Sequence, residues 1–73
     1  MNHKNIRVFS PAPGKIQIIT LENSIVKVSD ILGRRIGIYD VGNSILEIAL
    51  GSDIYIVSVG NGDRIYTRKV IVK

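Results

Sequence analysis

Asp53-Ile54-Tyr55-Ile56-Val57-Ser58-Val59, then Gly60-Asn61-Gly62-Asp63, then Arg64-Ile65-Tyr66-Thr67 and Arg68-Lys69-Val70-Ile71-Val72-Lys73, is the stretch that decides the fold. Two alternating runs rich in β-branched and aromatic residues flank a glycine-asparagine turn. Alternation with period two marks a strand with one buried face. Asn-Gly between two such runs is the strongest short hairpin signal, because both central residues of a type I′ turn need positive φ. Tyr55, Val57 and Val59 are expected to face inward, with Val70 and Val72 from the second run. The register stays open. A two-residue loop sets Val57 opposite Tyr66, a three-residue loop sets it opposite Ile65, and a one-residue slip exchanges the faces. A chain end usually frays, yet this one still alternates at Lys73. It is therefore expected to be built into the fold and to be usable as a signal.

The rest of the chain agrees with this start. Fourteen Ile and eight Val against four Leu favour strands, since β-branched side chains lose rotamer freedom in helices and pack well on a pleated surface. Strand signals recur every eight to twelve residues, the spacing of a sandwich or barrel. Ile6-Arg7-Val8-Phe9 alternates and stops at Ser10-Pro11-Ala12-Pro13-Gly14, where two prolines remove backbone donors and force a bend. Lys15 to Thr20 resumes, Glu22-Asn23-Ser24 reads as a turn, and Ile25 to Ser29 carries Val26 and Val28 on one face. Asp30-Ile31-Leu32-Gly33 has Asp at the first position of a type I turn and Gly where a G1 bulge needs positive φ. It leads into Arg34 to Tyr39. Asp40-Val41-Gly42-Asn43 reads as another break. Ser44 to Leu50 suits helix or strand by pattern, and its length and flanking glycines favour strand. Gly51-Ser52-Asp53 reads as a connection.

Seven short strands and no helix imply an all-β domain over residues 6–73, an Ig-like antiparallel sandwich of two sheets, with a small closed barrel as the alternative. Residues 1–5 are expected to be a leader without structure. Seventy-three residues allow one domain, and with no cysteine neither disulfides nor a thiolate metal site can brace it. No stretch approaches the roughly twenty apolar residues of a spanning helix. Met1–Asn5 shows no apolar targeting core, so either the protein is cytoplasmic or its targeting segment lies in a longer precursor.

Few groups here carry chemistry. His3 is the sole histidine and sits in the leader, so no Ser-His-Asp or Cys-His set can be assembled. Of the carboxylates Glu22, Asp30, Asp40, Glu47, Asp53 and Asp63, all but Glu47 fall at expected turns, where they satisfy local donors. Gly60-Asn61-Gly62 lies between strands and offers no helix N-terminus to an anion. No catalytic, cofactor-binding or metal residues are assigned, and an enzyme is not expected. The net charge of +4 comes without interleaved aromatic platforms, so edge protection by Lys and Arg is preferred over nucleic-acid binding.

Taken together, the motifs resemble the type IX secretion C-terminal sorting domains. Val26-Lys27-Val28-Ser29-Asp30-Ile31-Leu32-Gly33-Arg34-Arg35-Ile36 is similar to that family's V-x-V-x-D-x-x-G-R-x-V stretch. Asp53 to Val59 resembles its G-x-Y-x-V-x-V, and Arg68 to Lys73 its closing x-K-x-x-V-K. Departures are Phe9-Ser10-Pro11-Ala12-Pro13-Gly14 where Y-P-N-P is common, Asp53 for a glycine, and Ser29 for a frequent aromatic residue. The resemblance implies an Ig-like tail of an exported protein, passing the periplasm of a Gram-negative envelope to the cell surface or beyond. Its implied partners are the outer-membrane secretion machinery and a sortase-like processing peptidase. Recognition would fall on Lys69, Val70, Val72 and Lys73. Asp30, Gly33 and Arg34 would form the motif turn, and Tyr55, Val57 and Val59 its core. An Ig-like adhesion or accessory binding module is the alternative function. Open edge strands, with Ile54 and Ile56 outward, also leave self-association open.

Overall fold

The computed structural model describes residues 6–20, 23–42, 44–61 and 63–73. Seven strands follow one another: β1 (Ile6–Phe9), β2 (Lys15–Thr20), β3 (Ser24–Asp30), β4 (Arg35–Val41), β5 (Ser44–Ala49), β6 (Asp53–Asn61) and β7 (Arg64–Val72). They form a three-stranded sheet in the order β1-β2-β5 and a four-stranded sheet in the order β4-β3-β6-β7, with every pairing antiparallel. The result is the Ig-like sandwich expected from the alternation, not a closed barrel. Expectations for residues 1–5, including His3, and those that rest on Glu22, Asn43 and Gly62 lie outside the described residues.

The core follows directly from period-two patterning. Ile16, Ile18, Val26, Val28, Val57 and Val59 are fully buried, and Tyr55, Val70 and Val72 join them. Thr20 and Ser24 are the polar residues closed in at one end, where their hydroxyls lie 3.3 Å apart. That contact meets the need of buried polar groups for partners.

The Asp30–Gly33 turn forms as its residues require. Gly33 has φ +86° and donates its N–H to the Asp30 carbonyl at 3.0 Å, while the Asp30 N–H bonds Arg34 O at 2.9 Å. A second irregularity follows: Val28 faces Gly37 but Ser29 faces Arg35, so Ile36 is an extra residue on β4. Such a bulge bends its strand and sharpens the local twist.

Several boundaries differ from the sequence expectation. Ser24 begins β3 instead of ending a turn, and β4 runs through Asp40 to Val41, which is buried and pairs with Ser24. Asp-Val-Gly-Asn has turn-like composition, but Val41 continues the inward series Gly37, Tyr39, Val41, and its burial outweighs local preference. Asp53 is the first residue of β6 rather than part of the connection. The β6–β7 register also differs from both alternatives. Asn61 pairs with Arg64 and Val57 with Arg68, so the pairing runs one residue further along β6 than the two-residue loop at Asn61-Gly62 would allow. This displaces the pairing by two residues relative to the two-residue-loop register, and an even displacement keeps every side chain on its face. Tyr55, Val57, Val59, Val70 and Val72 therefore still point inward.

Candidate recognition site

The site begins with Asp30, whose carboxylate organises its own turn. Its Oδ1 accepts the N–H groups of Leu32 (3.0 Å) and Arg34 (2.9 Å), and its Oδ2 accepts the Arg34 Nε–H at 2.7 Å. The Arg34 side chain is three-quarters exposed while that of Asp30 is nearly covered. Solvent screens the ion pair, so the backbone bonds dominate. The Arg34 N–H, with its guanidinium and the Leu32 N–H acting in the same direction, holds the Asp30 carboxyl below its ordinary value of 3.8, against burial that pushes it up.

A depressed carboxyl stabilises the fold above its unfolded pKa and loses that contribution as pH falls through the folded value. The wild-type thermal midpoint is therefore expected to drop as pH is lowered below about 4. Asp30→Asn should be less stable at neutral pH and lack the Asp30 share of that acid-range drop. Circular-dichroism melts from pH 7 to 2 check this, and parallel curves for the two proteins would refute the role given to Asp30.

Sheet order then brings distant motif residues together. Asp30 of β3 pairs with Tyr55 of β6, and Tyr55 pairs with Val70 of β7. These three form one inward row across the sheet. The Tyr55 hydroxyl donates to Gly51 O at 2.8 Å, which ties the row to the connection before β6. Ser29, Ile56 and Lys69 form the adjacent row on the outer face. At the same end, Gly14, with φ +78°, donates its N–H to Lys73 O at 2.8 Å and accepts from Leu50 N at 2.9 Å. One glycine thus joins the β1–β2 bend, the end of β5 and the end of β7.

The four residues expected to be read separate by face. Val70 (6 % exposed) and Val72 (1 %) pack in the core, whereas Lys69 and Lys73 are exposed. Gly33 and Arg34 are exposed beside the buried Asp30. Val57 and Val59 are buried further along β6, away from this end, and serve packing. Sequence reasoning missed Ile71, which is 60 % exposed between the two lysines. Its alternation with Val70 and Val72 was the available signal. It also missed Gly14, whose role depends on segments far away in the chain.

What this end can offer a partner is a cationic and apolar outer surface, Lys69-Ile71-Lys73, beside the edge of β7. Among the described residues, that strand pairs on one side only, with β6. No protein-family profile matches the chain, and no curated protein sequence matches it.

Proposed function

We propose that this domain is a non-catalytic sorting signal of the type IX secretion kind, which directs an exported protein across the outer membrane and is read in folded form. The observation that supports the reading is convergence. The three separate motif stretches carrying the resemblance meet at one end of the four-stranded sheet, in the row Asp30, Tyr55, Val70, with Lys69 and Lys73 exposed beside it. On this reading Val70, Val72 and Tyr55 hold the terminal strand in place, and Lys69, Ile71 and Lys73 face the outer-membrane machinery. Asp30 and Gly33 shape the neighbouring turn.

The test must leave the fold intact, so it uses exposed positions. A periplasmic reporter fused to residues 1–73 is expressed in a host competent for type IX secretion, as wild type and as Lys69→Glu/Lys73→Glu. Surface display of the variant is expected to fall about tenfold, as like-charge reversal of contact residues does at other interfaces, while its thermal midpoint stays near wild type. Equal display of the two fusions would reject the reading.

A further inference from the structure

The inward face of β7 is only half covered. Val70 and Val72 are buried, but Tyr66 is half-buried, and Arg64 and Arg68 are exposed although they lie on the same face. The cause is the opposing sheet, which has one strand fewer and ends at β1, only four residues long. Between these two edge strands lies a cleft of about 220 Å³ lined by Ile6, Arg7, Val8, Phe9, Tyr66 and Arg68. Ile6 and Val8 are nearly fully buried beneath it, so its open lining is more polar than apolar. Arg7 stands over the Phe9 ring at 5.3 Å, a cation–π contact that holds the guanidinium at the rim. Neither Arg7 nor Arg68 forms an ion pair with a described carboxylate.

Among the described residues, no strand pairs with the outer edge of β7 along this cleft. The Lys73 carbonyl leaves the sheet edge to meet Gly14. Alternation along a strand then directs the N–H and C=O groups of Ile65, Thr67 and Lys69 the same way, outward from β6. A strand added here would lie ~4.8 Å from β7, over the cleft.

We propose that this edge accepts an extended acidic peptide of another protein as an eighth strand. Its main chain pairs with Ile65, Thr67 and Lys69, its carboxylates turn inward to meet Arg7 and Arg68 in the cleft, and its apolar side chains, alternating with them, lie on the outer face beside the exposed Ile65. Main-chain pairing supplies affinity and alternate side chains supply selectivity. The charges select the occupant: a second copy of this chain, at +4, brings Arg64, Arg68 and Lys69 of its own β7 against those already there, and cationic edges oppose such pairing. This inference does not depend on the sorting reading and is tested without secretion.

The probe is a fluorescein-labelled octapeptide alternating valine and glutamate, titrated into the full chain and followed by fluorescence anisotropy, with a valine–lysine octapeptide as control. The acidic peptide is expected to bind at least about tenfold more tightly than the basic one, and more weakly as salt rises. On binding, amide exchange at Ile65, Thr67 and Lys69 should slow. Thr67→Pro removes an outward N–H without touching the β6 ladder and should abolish binding. Arg68→Glu, at an exposed position, should weaken it about tenfold even if the proline variant fails to fold. Equal affinity for both peptides, protection elsewhere than on β7, or a dimer by sedimentation in place of peptide binding would each overturn the proposal.

Discussion

Val72→Asp is expected to abolish cooperative folding. Val72 is 1 % exposed, pairs with Asp53 across the β6–β7 ladder, and lies one residue from the Lys73–Gly14 bond that closes this end of the sandwich. The substitution forfeits about 1.5–3 kcal/mol of apolar burial and adds a carboxylate with no cation built to receive it, at a further cost of several kcal/mol. A domain of this length has roughly 4–11 kcal/mol of stability in all, so the combined loss is comparable with the whole. Ile71→Asp, one residue earlier on the outer face, is expected to cost about 1 kcal/mol or less. Near-ultraviolet circular dichroism and thermal melts compare the two, and a Val72→Asp protein that melts cooperatively within a few degrees of Ile71→Asp would show that the end of β7 does not belong to the core. The same reasoning bears on function. Deleting residues 69–73 removes Val70 and Val72 along with the two lysines, so loss of export after such a deletion would report unfolding as readily as loss of recognition. Charge reversal at Lys69 and Lys73 separates the two.

Ile18→Ala should cost about 2–5 kcal/mol, from lost transfer energy and the cavity left behind. Ile18 is fully buried on β2, the central strand of the three-stranded sheet, with Val8 on one side and Leu46 on the other. A three-stranded sheet has no spare layer to collapse into the gap, which places the cost toward the upper part of that range. With a urea slope of about 1 kcal/mol per molar for a small domain, the unfolding midpoint should fall by roughly 2 M or more. Ile45→Ala, on the outer face of the adjacent β5, should shift it by less than about 0.5 M. Comparable shifts for the two would contradict the assignment of faces in this sheet.

Both predictions rest on which side of a strand a residue occupies, and that was legible in the sequence. Alternation alone places Val26, Val28, Tyr55, Val57, Val59, Val70 and Val72 inside, because successive side chains on a strand must point to opposite faces. The Asp30–Gly33 turn was legible for an equally local reason. Asp satisfies donors within its next four residues, and Gly33 takes a φ that other residues avoid. Boundaries were less so. Asp40-Val41-Gly42-Asn43 looks like a break, and only pairing with Ser24 makes Val41 the last residue of a strand. The β6–β7 register escaped because pairings two residues apart present identical faces, leaving alternation nothing to distinguish them.

The candidate site divides along the same line. That Lys69 and Lys73 face solvent while Val70 and Val72 do not follows from alternation along one strand. That Asp30, Tyr55 and Val70 share a row follows only from the order β3-β6-β7, which sets residues 15 to 40 positions apart side by side. The cleft is further from the sequence still, since it lies between β1 and β7, strands from opposite ends of the chain that are one edge each of two sheets of unequal size. The amino-acid sequence by itself determined the strand class, the buried faces and the local turn, all set by interactions within a few residues. The tertiary structure alone decided register, the meeting of the motif residues and the open edge between the sheets, because each depends on which strands become neighbours, and that is settled by the packing of the whole core.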